Sequence, residues 1–349
     1  MNMKTVIWIV AALLLCACHR EVSEYAKVIL ENSGTDWPLY VKGDSSQILI
    51  PLETTEESLI GGYDRILMND SIICIADKAK SKTIFIFDGE GHFKSKIMKV
   101  GRGPGEYIFP DEVALKNDTV LVYDRAVRKM LYYGLDGTFY KEVHFGVYRP
   151  ETFVLKDSGH FVFYVGMPEV TEDNAEVAVT DLNGKFTEQY FKRPDLTDKQ
   201  GRFAVPDYFT QNANGIFFIP VFEDKMYRLT EDSVQMVFDF QFKDFMYSFD
   251  EIGEKPIIEH ERKYSYFDDF FMTDEGTFVC FICRGNLNIV SLCGNIYTGE
   301  LLTWEGDWPV EGVYKNYFIT TTEYKEGEQS DMGNNRALLL IPGSRLMNR

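Results

Sequence analysis

The chain has few of the residues that most often carry nucleic-acid binding, metal binding or redox chemistry. Its 349 residues include 36 Lys and Arg against 54 Asp and Glu, a net charge of −18, with only 5 His and 6 Cys. Because phosphate contacts need clustered Lys and Arg, which the sequence does not show, this balance excludes an ordinary nucleic-acid-binding protein. No apolar run reaches the about 20 residues that a membrane-spanning helix requires.

Signature motifs of common enzymes are also missing. The sequence has no H-E-x-x-H zinc motif, no G-x-S-x-G nucleophile motif and no D-x-D-x-D-G calcium loop. His260 is followed by Glu261, but no second His stands four residues after His260. We therefore expect no cofactor and no metal site encoded by a motif.

The N-terminal segment 1–17 resembles a bacterial lipoprotein signal peptide. It contains an apolar run of ten residues, Val6 to Leu15, and ends in L-C-A-C at residues 15–18, which resembles a lipobox. The resemblance implies cleavage before Cys18 and acylation of Cys18, for instance with palmitate. An ordinary cleaved signal, in which Cys18 is incidental, is the alternative. The lipoprotein interpretation makes residues 18–44 a tether and places the protein in the cell envelope, anchored to the outer membrane.

Cys280 and Cys283 have the C-x-x-C spacing of redox and metal sites, but they lie in the apolar run 277–283. Residues three apart on a strand point to opposite faces, so this pair can neither share a metal nor form a disulfide. We expect these cysteines to be buried thiols.

A pattern of strand, tight turn and strand recurs along the chain. The turns fall at Asp88, Asp136, Asn183, Glu231 and Cys293, at intervals of 48, 47, 48 and 62 residues. Asp-Gly and Asn-Gly permit the positive φ values of hairpin turns. Two more strand-like runs precede the turns, which gives units of four strands. A period in the forties is typical of β-propeller blades.

The two ends of the chain supply a sixth unit. Residues 313–322 and 337–341 give about three strands, and Gln47 to Leu52 is a lone strand near the N terminus. We predict that this strand closes the ring as the outer strand of the last blade. The long fourth interval is assigned to an insertion at about 243–265. The sequence thus predicts an all-β fold, a six-bladed β-propeller over residues 45–345 with four antiparallel strands per blade.

The segment V-G-R-G-P-G-E-Y, residues 100–107, links the first predicted blade to the second. Together with the lipobox and the repeat, it resembles the six-bladed β-propeller lipoproteins of Bacteroidota, which are related to NHL-type propellers. The resemblance covers about residues 45–345 and implies the fold and the lipoprotein location. It implies no activity, substrate or catalytic residue.

Candidate ligand-binding residues are Arg102, Glu106 and Tyr107 in this segment, with Asp111 and Asp268 near the starts of inner strands. We expect the segment at one mouth of the central channel, because it joins an outer strand to the next inner strand. Three glycines and a proline specify its backbone, which favours a structural loop in which Arg102 pairs with a carboxylate. Contact with a ligand is the alternative. Asp111 and Asp268 are geometrically possible contributors to a metal site in the channel, but most of the 54 acidic residues are expected at the solvated surface.

Two functions from different classes fit these observations. The first is a non-catalytic binding protein, held at the membrane by its lipid, whose ligand is a glycan, a peptide or an envelope protein. The second is a propeller enzyme of the lactonase or lyase type, with a metal or a His–carboxylate pair in the channel. Only analogy with other propellers supports the enzyme, so the sequence favours the binding protein.

Overall fold

The computed structural model describes residues 44–145, 150–157, 159–165, 175–192, 209–220, 223–230, 233–242, 264–284, 289–305, 310–324 and 335–347. Within these ranges one short helix, α1 (Gly343–Met347), follows the last strand. None of the described helices is long and apolar enough to cross a membrane. The predicted signal peptide, Cys18 and residues 18–43 lie outside the described residues.

The described strands form six antiparallel sheets of four strands each, and we number these blades along the chain. Blade 1 contains β2 (Arg65–Met68), β3 (Ile72–Asp77), β4 (Thr83–Asp88) and β5 (Phe93–Ile97). Blade 2 contains β6 (Glu112–Lys116), β7 (Thr119–Asp124), β8 (Lys129–Gly134) and β9 (Phe139–His144). Blade 3 contains β10 (Thr152–Leu155), β11 (His160–Tyr164), β12 (Ala175–Asp181) and β13 (Phe186–Lys192).

The second half of the ring repeats this order. Blade 4 contains β14 (Phe209–Asn212), β15 (Gly215–Phe218), β16 (Lys225–Leu229) and β17 (Val234–Asp239). Blade 5 contains β18 (Tyr264–Met272), β19 (Thr277–Arg284), β20 (Ile289–Asn295) and β21 (Leu301–Glu305). Blade 6 contains β22 (Gly312–Tyr314), β23 (Tyr317–Tyr324), β24 (Asn335–Pro342) and β1 (Ile48–Pro51). The predicted six-bladed propeller is confirmed.

Strand β1 closes the ring, as the sequence predicts. It pairs antiparallel with β24, with Ile48 opposite Leu340. Ile50 and Leu52 are buried in an apolar cluster that blades 6 and 1 share. The inner strands contact one another in order around the channel, and β22 contacts β2 to complete the circle. Closure leaves no open edge between the first and last blades.

The core lies between blades, where aromatic rings fill the gaps between neighbouring sheets. Tyr123 of blade 2, for example, contacts Phe153 and Phe163 of blade 3 at centroid distances of 6.1 and 6.2 Å. Because splayed sheets leave wedge-shaped gaps, large flat side chains suit these positions. This packing accounts for the high aromatic content of 15%. Burying one such ring stabilises the fold by roughly 1.5–3 kcal/mol.

The hairpin turns agree with the predicted repeat except in blade 5. Gly137 adopts a φ of +80° between β8 and β9, which only glycine accommodates without strain. In blade 5 the sequence pattern places the turn at Cys293, whereas the structure places it at 296–300. Cys293 instead pairs with Leu302 in the ladder, and Gly299, with a φ of +73°, supplies the turn.

The predicted insertion at about 243–265 overlaps the start of a described strand at its C-terminal end. Residues 243–263 lie outside the described residues, whereas Tyr264 and Ser265 already belong to β18. Strand pairing sets this boundary, because Tyr264 is opposite Arg284 of β19 in the ladder.

Strand direction defines two faces of the ring. We call the face at which the inner strands begin the upper face, and the opposite one the lower face. The upper face carries long connections such as 52–64 and 98–111, whereas the longest lower connection between described strands of one blade is 296–300. β1 begins at the lower face, where Asp44 forms an ion pair with Arg345 of α1.

Polar contacts between blades brace the lower face. Asn316 of blade 6 exchanges two hydrogen bonds with Glu275 of blade 5, at 2.8 and 3.0 Å. Lys315 of blade 6 lies 2.6 Å from the carboxylate of Asp70 in blade 1. These contacts join blade 6 to both of its neighbours at the lower face.

Candidate functional site on the upper face

The loop from β5 to β6 crosses the upper face and is held from beneath by Tyr107. The Tyr107 side chain is fully buried, and its hydroxyl lies 2.7 Å from the carbonyl of Lys82 and 3.0 Å from that of Ile97. The Tyr107 N–H donates to the carbonyl of Lys99, and the Gly101 N–H donates to the carbonyl of Tyr107. Burial raises the pKa of Tyr107, so it stays a neutral donor. These contacts give Tyr107 a structural role.

Glu106 closes the loop upon itself. One oxygen of its carboxylate accepts a hydrogen bond from the Gly103 N–H at 2.8 Å. A Cβ atom on Gly101 would lie 2.0 Å from the same oxygen, so any other residue at this position would displace the Glu106 carboxylate from Gly103. The carboxylate that the sequence suggested for ligand contact is therefore engaged by the backbone of its own loop.

Blade 2 holds the loop through Glu142 of β9. One Glu142 oxygen accepts from the Gly105 N–H and from Nζ of Lys129, both at 3.1 Å, and Lys129 is only 4% exposed. The Tyr133 hydroxyl donates to the carbonyl of Gly105 at 3.0 Å. Burial opposes ionisation of Glu142, but the hydrogen bonds from Gly105, Lys129 and His144 outweigh it and lower its pKa. These contacts hold blades 1 and 2 together. We call residues 98–111 the clasped loop.

Arg102 projects from the clasped loop into solvent. It forms no ion pair with any residue that the structure describes. The predicted pairing with a carboxylate is therefore not found, because Glu106 is bonded to Gly103 and Glu142 to Gly105. The guanidinium of Arg102 is available to a ligand.

Asp111 stands just before β6, in a band of charges at the upper mouth of the channel. It accepts from the Arg125 N–H at 2.8 Å, and the Arg125 guanidinium contacts both Asp111 and Glu151, the residue before β10. Lys78 lies 3.1 Å from the Asp111 carbonyl and 3.6 Å from the Glu112 carboxylate. Burial raises the pKa of Asp111, opposed by the bonds from Arg125. These five residues, Lys78, Asp111, Glu112, Arg125 and Glu151, form the charge band, which links blades 1, 2 and 3.

Asp268 is not brought together with the other four candidates. It lies on β18, opposite Phe281, beside a register shift. Blade 5, which contains β18, is separated from blade 2 by two blades on either side of the ring. The neighbouring Phe267 and Phe270 are buried in the core between blades 4 and 5.

Glu311 is a carboxyl at the upper mouth that the sequence did not reveal. Its carbonyl accepts from the Ile66 N–H at 2.9 Å, which joins the inner strands of blades 6 and 1. Its carboxyl accepts from the N–H and the hydroxyl of Thr321, at 3.1 and 3.0 Å. Burial raises its pKa to about 7. With 54 acidic residues in the chain, composition could not single it out.

The sequence carries a signal for the charge band in its repeat rather than in a local motif. Asp77-Lys78 and Asp124-Arg125 are acid–base pairs at corresponding ends of β3 and β7, separated by one repeat. Aligning the blades on their turns would have placed these cations at one face.

The upper face presents charged groups and hydrogen-bonding groups on a backbone that the loop contacts hold in place. In the described ranges, no three His, Cys, Asp or Glu side chains are placed to hold a metal ion. Three histidines of the described ranges pair with carboxylates, and all lie on outer strands or at the lower face: His92 with Asp88 and Glu90, His144 with Glu142, and His160 with Asp157.

The fold and this site define a class: a six-bladed β-propeller whose upper loops are braced between blades. The chain belongs to the family described as a domain of unknown function, DUF4934, whose model matches residues 45–329. The crystal structure of a "Putative exported protein" from Bacteroides fragilis NCTC 9343 is similar, with a TM-score of 0.70 and 17% identity over 88% of this chain and 97% of that one. A member of the duf4221 family from Bacteroides vulgatus gives a TM-score of 0.49 and 13% identity over 84% and 95%. No functionally curated protein matches the chain.

Proposed function

We propose that the protein is a lipid-anchored binding protein of the cell envelope that recognises its ligand with the upper face. The ligand is a glycan, a peptide or an envelope protein. The observation that carries this proposal is the clasped loop, where a backbone fixed by Glu106 and Glu142 presents the uncompensated charge of Arg102 to solvent. A rigid scaffold that displays loop side chains is a common architecture for binding sites.

The position of the first described residue supports this arrangement. The described chain begins at the lower face, at Asp44. A tether that runs from Cys18 to this point holds the lower face toward the membrane and leaves the upper face accessible. The similar Bacteroides fragilis structure is that of a "Putative exported protein", which agrees with an envelope location for this chain.

Phase partitioning tests the anchor. Expressed with its own signal in a bacterial host, the protein should enter the detergent phase, and Cys18→Ser should move it to the aqueous phase. Cys16→Ser is the matched control, because it alters the signal and keeps the acylated position. Unchanged partitioning of Cys18→Ser, or mass spectrometry that finds cleavage elsewhere, would show that no lipid is attached at Cys18.

A binding screen tests recognition. The detergent-solubilised full-length protein is applied to glycan and peptide arrays, alongside Arg102→Ala and a lower-face control, Lys185→Ala. We expect a bound ligand whose affinity falls with Arg102→Ala and not with Lys185→Ala. Binding that neither substitution weakens would contradict recognition through Arg102. Hydrogen–deuterium exchange that the ligand slows only at the lower-face turns would contradict recognition by the upper face.

A further inference from the structure

Four cations on the upper face of blades 1 and 2 have no acidic partner. They belong to the turn 78–82 and to the loop 98–111: Lys80, Lys82, Lys99 and Arg102. None of their side-chain nitrogens lies within 4 Å of a carboxylate oxygen of the described residues. Nζ of Lys80 donates to the carbonyl of Gly61, and Nζ of Lys82 donates to the carbonyl of Ile108 and lies 5.5 Å from the centroid of the Phe109 ring. The two segments interlock through the Tyr107 hydroxyl, which donates to the carbonyl of Lys82, so the cations share one surface. We call this surface the basic patch.

The acidic residues of the same region are turned toward the backbone. Asp77 is fully buried and accepts from the N–H groups of Gly61, Lys80 and Ser81. Asp124 is also fully buried and accepts from the N–H groups of Ile108, Phe109, Ala126 and Val127. The carboxylates thus hold the loops in shape, and the lysines and the arginine remain on the surface. These loops therefore carry a local surplus of positive surface charge in a chain whose net charge is −18.

Exposed aromatic and apolar side chains border the basic patch. Met98 and Val100, on either side of Lys99, are 59% and 46% exposed. Phe139 of β9 is 36% exposed, and its ring lies under the loop at Gly105. Cations beside flat apolar rings suit a ligand that has both anionic groups and apolar ring faces.

From this arrangement we propose that the basic patch binds an acidic polysaccharide, a linear glycan with repeated carboxylate or sulfate groups. The inference rests on the proposed function and specifies its ligand class. The cations are spread along two loops rather than converging on one point, which matches charges repeated along a polymer. The patch lies on the face opposite the start of β1, which the proposed anchoring leaves accessible to a soluble polymer.

Equilibrium binding to defined polymers tests the proposal. The detergent-solubilised full-length protein is titrated with polygalacturonate, heparin, neutral dextran, poly-L-glutamate and a single-stranded DNA oligonucleotide. The patch variant neutralises its four cations: Lys80→Gln, Lys82→Gln, Lys99→Gln and Arg102→Gln. The matched control removes the same charge from lower turns and strand ends: Lys94→Gln, Lys116→Gln, Lys185→Gln and Lys315→Gln. Melting temperatures verify that both variants fold.

We expect polygalacturonate or heparin to bind and dextran not to bind. Binding should weaken steeply as salt is raised, because ion release accompanies contacts between charges. The patch variant should lose about tenfold or more in affinity, and the control should bind like the wild type. Tighter binding of poly-L-glutamate or DNA would overturn the assignment to a glycan. If the two variants bind equally, or if arrays reveal only a neutral ligand, the inference fails while the proposed binding function stands.

Discussion

Glu142 and Arg102 lie in or against the same loop but have different contacts. Glu142 joins the Gly105 N–H to the buried Lys129, whereas Arg102 is exposed and has no ion pair in the described part of the chain. Removing one member of a buried charge pair is costly, because the other charge remains desolvated. Changing an exposed side chain without contacts usually has little effect on stability.

We therefore expect Glu142→Gln to lower the free energy of unfolding by about 1–3 kcal/mol. Arg102→Ala should change it by less than about 0.5 kcal/mol. Urea denaturation of both variants beside the wild type measures the two effects. Equal losses would mean that Arg102 has a structural partner, as the sequence first suggested.

Glu311 gives the stability a specific pH dependence. Burial raises its pKa to about 7 in the folded state, above its usual value of 4.5. Between these values the folded protein holds a proton that the unfolded chain has released, so this group makes stability fall as pH rises from about 4.5 to 7. The effect is opposite in sign to that of carboxylates with lowered pKa, such as Asp77.

Glu311→Gln should remove this decline. At pH 8 we expect the variant to be more stable than the wild type by on the order of 2 kcal/mol, and at pH 4 the two should be alike. Denaturant unfolding across this range provides the measurement. A constant difference at all pH values would mean that Glu311 does not titrate differently in the two states.

At the scale of elements, the loop 98–111 depends on glycine for space as well as for φ. Gly105 has a φ of +68°, and a Cβ there would lie 2.7 Å from the Phe139 ring. Gly299 has a similar φ of +73°, but nothing lies within 4 Å of its Cβ position. The two positions share the backbone strain and differ in the steric contact.

Gly299→Ala should therefore cost about 1 kcal/mol from the left-handed backbone alone. Gly105→Ala should cost about 1–3 kcal/mol more, because the ring of Phe139 must move or the loop must shift. Thermal and urea unfolding compare the two variants. Similar losses would show that the approach of Phe139 does not restrict Gly105.

Strand β1 is the other element with a measurable share in stability. Deleting residues 19–52 removes β1 with the buried Ile50 and Leu52, exposes the edge of β24, and should lower the unfolding midpoint markedly. Deleting only residues 19–40 spares β1 and should leave the midpoint nearly unchanged. A midpoint that both deletions lower equally would contradict ring closure as the reason for the stability.

At the scale of the whole molecule, the sequence repeat predicted the ring, because the architecture of each blade depends on local signals. Turn residues such as Gly137 and alternating apolar strands recur in the sequence, and closure by β1 follows from counting strands. The pattern failed at Cys293, where an apolar strand continues through a glycine that the pattern interprets as a turn. Pairing across the sheet, rather than local sequence, determines where that turn lies.

The site was less predictable because it depends on contacts between distant segments. The sequence showed a backbone-specified loop at 101–107, but its partner Glu142 is on another blade. The cations Lys80 and Arg102 are more than twenty residues apart and share a surface only after the loops interlock. Motif searches examine neighbouring residues and cannot detect such groupings.

The most direct measurement is hydrogen–deuterium exchange of the detergent-solubilised full-length protein with and without polygalacturonate. Recognition by the upper face predicts slower exchange in the turn 78–82 and the loop 98–111, and no change in the lower turns at 69–71 and 315–316. Protection confined to the lower turns, or none in either upper segment at saturating polymer, would contradict the account.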